Sequence, residues 1–224
     1  MVTTGMPYNN GRQTEVIDLN NSSFSCFIPN HFPITLRAAS GGLIGQTPFV
    51  CGGQTGSGYS KACFTLEEDG SWKEDKLALL NTARSDAAVG AVVIHNQLVL
   101  AGGRGDSGRL TTMELVSPNT ASKTLPVELP GINYSPCVVR WDASTFMVIG
   151  GGGSEVYKET HFVNIDNNTI TDGPPLINGR LYFACNEMSV NGESFIVVAG
   201  GSKSTGTTEV LSKTNVGNGW KQGM

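Results

Sequence analysis

Charge is scarce in this chain. Only 15% of its 224 residues are Asp, Glu, Lys or Arg, the formal net charge is −4, and the basic residues nowhere cluster. Without a basic patch there is no electrostatic footprint for a phosphate backbone or an anionic membrane surface, so nucleic acid is not an expected partner. Long apolar runs are also missing: none approaches the ~20 residues that a helix needs to cross a bilayer. The amino terminus has no basic segment followed by an apolar core, so no secretory signal is visible. Met1 falls inside an expected strand, which implies a natural polypeptide that begins earlier and leaves the compartment open. Histidine is rare, with only His31, His95 and His161, and the five cysteines contain no CxxC and no paired ligand spacing. No metal site, cofactor or catalytic set is therefore expected.

Glycine, by contrast, is abundant and regularly placed. Four short apolar runs end in a glycine pair, at Gly52-Gly53, Gly102-Gly103, Gly150-Gly151 and Gly200-Gly201, spaced by 50, 48 and 50 residues. A period of this size holding several short strands is the mark of a repeated β-sheet unit, and it argues for a single domain over residues 1–224. Within each period the same β-patterned runs recur between turn residues. The clearest unit has runs at 87–94, 98–101, 112–116 and 122–125, with turns at His95-Asn96-Gln97 and Ser117-Pro118-Asn119. Its neighbours follow the same order, and the amino-terminal equivalent supplies only 1–3, 15–19 and 24–28. The expectation is all-β, with four-stranded antiparallel blades and about five blade equivalents.

Such a sheet is apolar on both faces and must pack face to face, which a radial propeller achieves while shielding strand edges. The glycine pairs then have a structural role, since the backbone must turn sharply and approach closely after the second strand. A phosphate cradle at Gly150-Gly151-Gly152-Gly153 is excluded because neither a helix pattern nor a suitably placed lysine follows it. Cys51 and Cys63 face each other across an expected hairpin, where a disulfide would imply an oxidising compartment. They also occupy slots filled by Ala101, Ile149 and Ala199, and by Met113, His161 and Leu211, when the repeat is stepped at its fixed period. The repeat favours that second reading, of two free side chains filling small or apolar positions.

Gly52-Gly53, Tyr59, Trp72 and Arg84 stand in the order of the kelch pattern: glycine pair, aromatic, tryptophan, then arginine before the next unit. The chain resembles the kelch-repeat family over essentially its whole length, with departures. The repeat after Gly102-Gly103 lacks both tryptophan and arginine, the next keeps only Arg180, and Trp220 closes the last. The resemblance implies a kelch β-propeller, in most relatives a rigid platform that binds another protein through loops on one face. Actin and ubiquitin-ligase substrates are partners only by that analogy, and a minority of relatives are enzymes, such as galactose oxidase-like or sugar-processing proteins. Complete rings in the family usually have six or seven blades, so a part of a larger ring with an open edge is expected here, with a genuinely five-bladed ring as the alternative.

Function in rigid scaffolds concentrates on loops. The loops after the glycine pairs, at 8–13, 54–61, 104–110, 154–158 and 202–207, carry Tyr8, Arg12, Tyr59, Lys61, Arg104, Asp106, Arg109, Tyr157, Lys158 and Lys203. Tyrosine and arginine combine buried area with directional hydrogen bonds and so make good interface anchors. The expected function is non-enzymatic protein binding by this loop face. Arg104-Gly105-Asp106 spells an integrin-recognition tripeptide, the basis of an alternative adhesion role. Asn20, Asn21 and Asn167 open glycosylation sequons at a frequency that chance explains.

Overall fold

The computed structural model describes residues 2–3, 14–15, 30–87, 92–131, 134–153, 155–202 and 206–223. Four four-stranded antiparallel sheets form a four-bladed β-propeller arrangement. Blade 1 runs Ser40–Ile44, Thr47–Cys51, Cys63–Leu66 and Trp72–Asp75. Blade 2 runs Val92–Ile94, Gln97–Ala101, Met113–Ser117 and Thr120–Thr124. Blade 3 runs Cys137–Arg140, Thr145–Ile149, Thr160–Asn164 and Thr169–Asp172. Blade 4 runs Ala184–Val190, Glu193–Ala199, Thr208–Ser212 and Lys221–Gln222.

The period leads to about five blade equivalents, whereas four complete blades are present among the described residues. The amino-terminal equivalent is represented by Val2–Thr3 paired with Thr14–Glu15. The rest of its expected runs lies outside the described residues.

Strands follow one another by hairpins because the turns carry residues that accept a left-handed backbone. His95 and Asn96 have φ of 51° and 58°, and Asn191 and Gly192 have φ of 52° and 82°. Paired positive φ values give the two-residue turn whose twist matches that of the flanking strands. All eight glycines of the four pairs also have positive φ, from 55° at Gly150 to 99° at Gly201. At Gly103 a Cβ would lie 2.5 Å from the Ser85 carbonyl oxygen, and at Gly52 it would lie 2.7 Å from that of Arg84. The pairs also join adjacent blades: Gly53 N donates to Arg84 O at 2.7 Å and Gly151 N to Arg180 O at 2.9 Å. Backbone sign favours glycine at all eight positions, and close approach adds to it at Gly52, Gly53, Gly103, Gly150, Gly151 and Gly201.

The core is a stack of layers between blades. Phe49, Cys51 and Cys63 of blade 1 meet Leu98, Leu100 and Val116 of blade 2. Val99, Met113 and Leu115 meet Phe146, Val148 and Val163 of blade 3. Met147 and Ile149 meet Ile196, Val198, Leu211 and Trp220 of blade 4. Trp72 packs on the far face of blade 1 with Phe32, Leu36, Val50 and Phe64. Blade 4 turns its other face outward, with Met188 46% and Val190 44% exposed.

Disulfides overturn the reading of the cysteines as free. Cys51 bonds Cys63 across paired strands with Cα atoms 4.1 Å apart, and Cys137 bonds Cys185 between the first strands of blades 3 and 4. A disulfide is itself small and apolar, so Cys51–Cys63 fits the slots that small or apolar side chains fill in the other repeats. The register also differs from a fixed step. Cys51 faces Cys63 and Ala101 faces Met113, but Ile149 faces Thr160 and Ala199 faces Thr208. The slot of Cys63 therefore belongs to Met113, Thr160 and Thr208, since the connections after the third and fourth glycine pairs are shorter.

His161 consequently shares its slot with Phe64, Glu114 and Glu209. In blades 2 and 4 that slot holds a buried ion pair. Arg84 and Arg180 are fully buried, with Nη2 2.7 Å from Glu114 Oε1 and 2.9 Å from Glu209 Oε1. Burial pulls the Arg84 guanidinium below its ordinary pKa, and the Glu114 carboxylate pulls it back. Arg84 also donates to Gly102 O and Thr112 O, and Arg180 to Gly200 O and Thr207 O. Each arginine thus ties the segment entering a blade to both ends of the loop between that blade's second and third strands.

Candidate functional site

The connections between second and third strands and the linkers between blades emerge at one end of the sheets. This end is the loop face. Two of its loops are short ribbons rather than irregular segments: Gln54–Thr55 pairs with Gly58–Tyr59, and Arg104–Gly105 pairs with Gly108–Arg109. Asp106 and Ser107 form the tip of the second ribbon. Arg104, Asp106 and Arg109 are exposed, and Arg104 lies directly opposite Arg109, so two like charges are held on one ribbon. Such pairing is locally unfavourable without a counter-charge.

Next to this ribbon the linkers converge. Ala38, Asp86, Ser135 and Tyr182 each precede a first strand and each have positive φ, between 47° and 55°. A left-handed backbone in a non-glycine residue costs on the order of 1–3 kcal/mol and gathers at sites where geometry is functionally constrained. Asp86 N donates to Ala38 O at 3.0 Å and Ser135 N to Asp86 O at 3.2 Å, so successive linkers are laced together. The ring of Tyr182 meets that of Tyr134 edge-on at 5.6 Å, and the Tyr182 hydroxyl donates to the Tyr134 hydroxyl. Burial, the Tyr182 bond and the negative charge of Asp86 raise the Tyr134 pKa well above its ordinary value, against the opposing pull of Arg104. Ser85 Oγ donates to Asp86 Oδ2 at 2.8 Å, and Arg37 holds Gln54 Oε1 with both Nε and Nη2.

Among the expected site residues, Arg104 is drawn into this group with Asp86 and Tyr134. Tyr59 and Tyr157 are half-buried, and Lys61 and Lys158 are exposed. Tyr59 and Tyr157 are not equivalent. Tyr157 matches Ser60, because Arg84 N donates to Ser60 O as Arg180 N does to Tyr157 O. Lys61 and Lys158 are true equivalents, accepting at their carbonyls from Leu80 N and Leu176 N. Tyr8, Arg12 and Lys203 lie outside the described residues. Asp86, Tyr134 and Tyr182 escaped the sequence reading because they precede a strand rather than follow a glycine pair. Their only sequence signal is a polar or aromatic side chain just before each first strand.

Elsewhere, blade 4 carries a groove of about 220 Å³ on its outward face, lined by Phe195, Val210, Glu193 and Lys221 among others. Among the described residues, no cluster of three or more His, Cys, Asp or Glu side chains could hold a metal ion. Among them too, no helix is long and apolar enough to cross a membrane. No protein-family model matches the chain, and no curated protein matches it significantly.

Proposed function

We propose that this chain is a non-enzymatic, kelch-type binding module that recognises a partner protein through its loop face. The observation that carries this reading is the pairing of the exposed Arg104–Arg109 ribbon with the Asp86, Tyr134 and Tyr182 cluster beside it. Arginine and tyrosine side chains supply the directional, area-rich contacts that dominate protein interfaces. Two arginines facing each other on a ribbon favour a partner segment with carboxylates, which would relieve their mutual repulsion. Laced linkers hold the cluster in place, so little ordering cost remains at binding.

The adhesion alternative is weaker on geometry. Gly105 is buried, its position 2.7 Å from Ala83 O for any Cβ, so Arg104-Gly105-Asp106 is not displayed as an open loop.

Substituting Arg104→Glu with Arg109→Glu is expected to lower partner capture at least tenfold, about 1.4 kcal/mol. The control, Lys73→Glu with Lys123→Glu on the outer strands, should leave capture unchanged. Affinity capture followed by quantitative mass spectrometry reads both. Equal losses in the two variants would refute recognition by the loop face.

A further inference from the structure

We infer that Asn167 is an N-linked glycosylation site of a chain that folds in an oxidising secretory compartment. The two disulfides point to the compartment, because such bonds form and persist in secreted or lumenal proteins and are rare where glutathione keeps thiols reduced. They pair four of the five cysteines, and the second bond ties two blades together. The sequon itself, Asn167-Asn168-Thr169, lies in the turn between the third and fourth strands of blade 3. Asn167 and Thr169 are both exposed.

Thr169 Oγ1 donates to Asn167 Oδ1 at 2.7 Å, and Asn167 N donates to Asn164 Oδ1 at 3.1 Å. The first bond engages the carboxamide by its oxygen and so leaves Nδ2 outside it. The transfer requires a lipid pyrophosphate-linked oligosaccharide. Its C1–O bond to the pyrophosphate breaks, a C1–N bond to Asn167 Nδ2 forms, Nδ2 gives up one proton to a base of the transferase, and the lipid pyrophosphate leaves.

The place in the fold suits a glycan. The turn lies at the end of the sheets opposite the loop face, so a sugar there shields the hairpin turns and leaves Arg104 and Tyr182 open. Asn133-Tyr134-Ser135 is also a sequon, but Ser135 is 1% exposed, and Asn133, like Asn20 and Asn21, lies outside the described residues.

The test is the full chain passed through the secretory pathway of a eukaryotic cell, with peptide mapping before and after peptide-N-glycosidase. The expected result is a glycopeptide containing residue 167 that the enzyme converts to aspartate. Asn167→Gln and Thr169→Val should abolish that glycopeptide, and Thr169→Ser should retain it. An unmodified Asn167 in chains whose disulfides have formed overturns the proposal, as does a chain whose Cys51, Cys63, Cys137 and Cys185 all emerge as free thiols. The inference is independent of partner binding, and Asn167→Gln should capture partner like the wild type.

Discussion

Replacing Glu114 with phenylalanine is expected to destabilise the propeller by about 3–5 kcal/mol, because it strands a fully buried arginine. Glu114 accepts from Arg84 Nη2, Ser122 Oγ, Asn81 N and Thr82 N, all within 3.0 Å. Removal leaves the buried guanidinium without its counter-charge and takes the carboxylate acceptor from Thr82 N, whereas Asn81 N keeps Ser122 Oγ at 3.0 Å. Blade 1 shows how the same junction is built without charge. Leu36 stands where Arg84 does and Phe64 where Glu114 does, and both belong to one apolar cluster. The double variant Arg84→Leu with Glu114→Phe is therefore expected to lose less than either single variant. Urea midpoints over the double-mutant cycle measure this, and strictly additive losses would contradict the pairing.

The second large effect concerns the bond between blades 3 and 4. Cys137→Ala with Cys185→Ala opens a loop of 48 residues, and loop-closure entropy puts the loss near ~4 kcal/mol. Opening Cys51–Cys63, separated by 12 residues, should cost less, about 3 kcal/mol on the same basis. The larger effect should also be localised, since Cys137–Cys185 joins the first strands of neighbouring blades and Cys51–Cys63 joins strands already paired within one. Amide exchange should accelerate in Ala184–Val190 and Glu193–Ala199 of the first variant and stay slow in blade 1. Unchanged unfolding and exchange in both variants would show that the bonds do not stabilise the fold.

The repeat was legible because glycine is placed by sterics. A pair that must adopt positive φ, its second member against a neighbouring carbonyl, leaves its mark in the sequence at every blade, as Gly53, Gly103, Gly151 and Gly201 do. Strand order followed for the same reason, with Trp72 and Arg84 where the pattern expects them. Register was less legible. The connections after Gly150-Gly151 and Gly200-Gly201 shorten, so fixed stepping set His161 among apolar residues instead of beside Glu114 and Glu209. Cysteine pairing was misread because oxidised and reduced cysteines fill the same buried slots. The cluster of Asp86, Tyr134 and Tyr182 was invisible because the left-handed φ of Asp86, Ser135 and Tyr182 that gathers it is imposed by tertiary lacing and has no residue code. Arg104 alone belongs both to the sequence-derived set and to this cluster.

Recognition by the loop face is tested most directly by amine cross-linking of the chain to its captured partner, read residue by residue. Lys61 and Lys158 stand on the loop face, whereas the exposed Lys73 and Lys123 stand on outer strands. The account predicts partner cross-links at Lys61 and Lys158. Cross-links confined to Lys73 and Lys123 would contradict it.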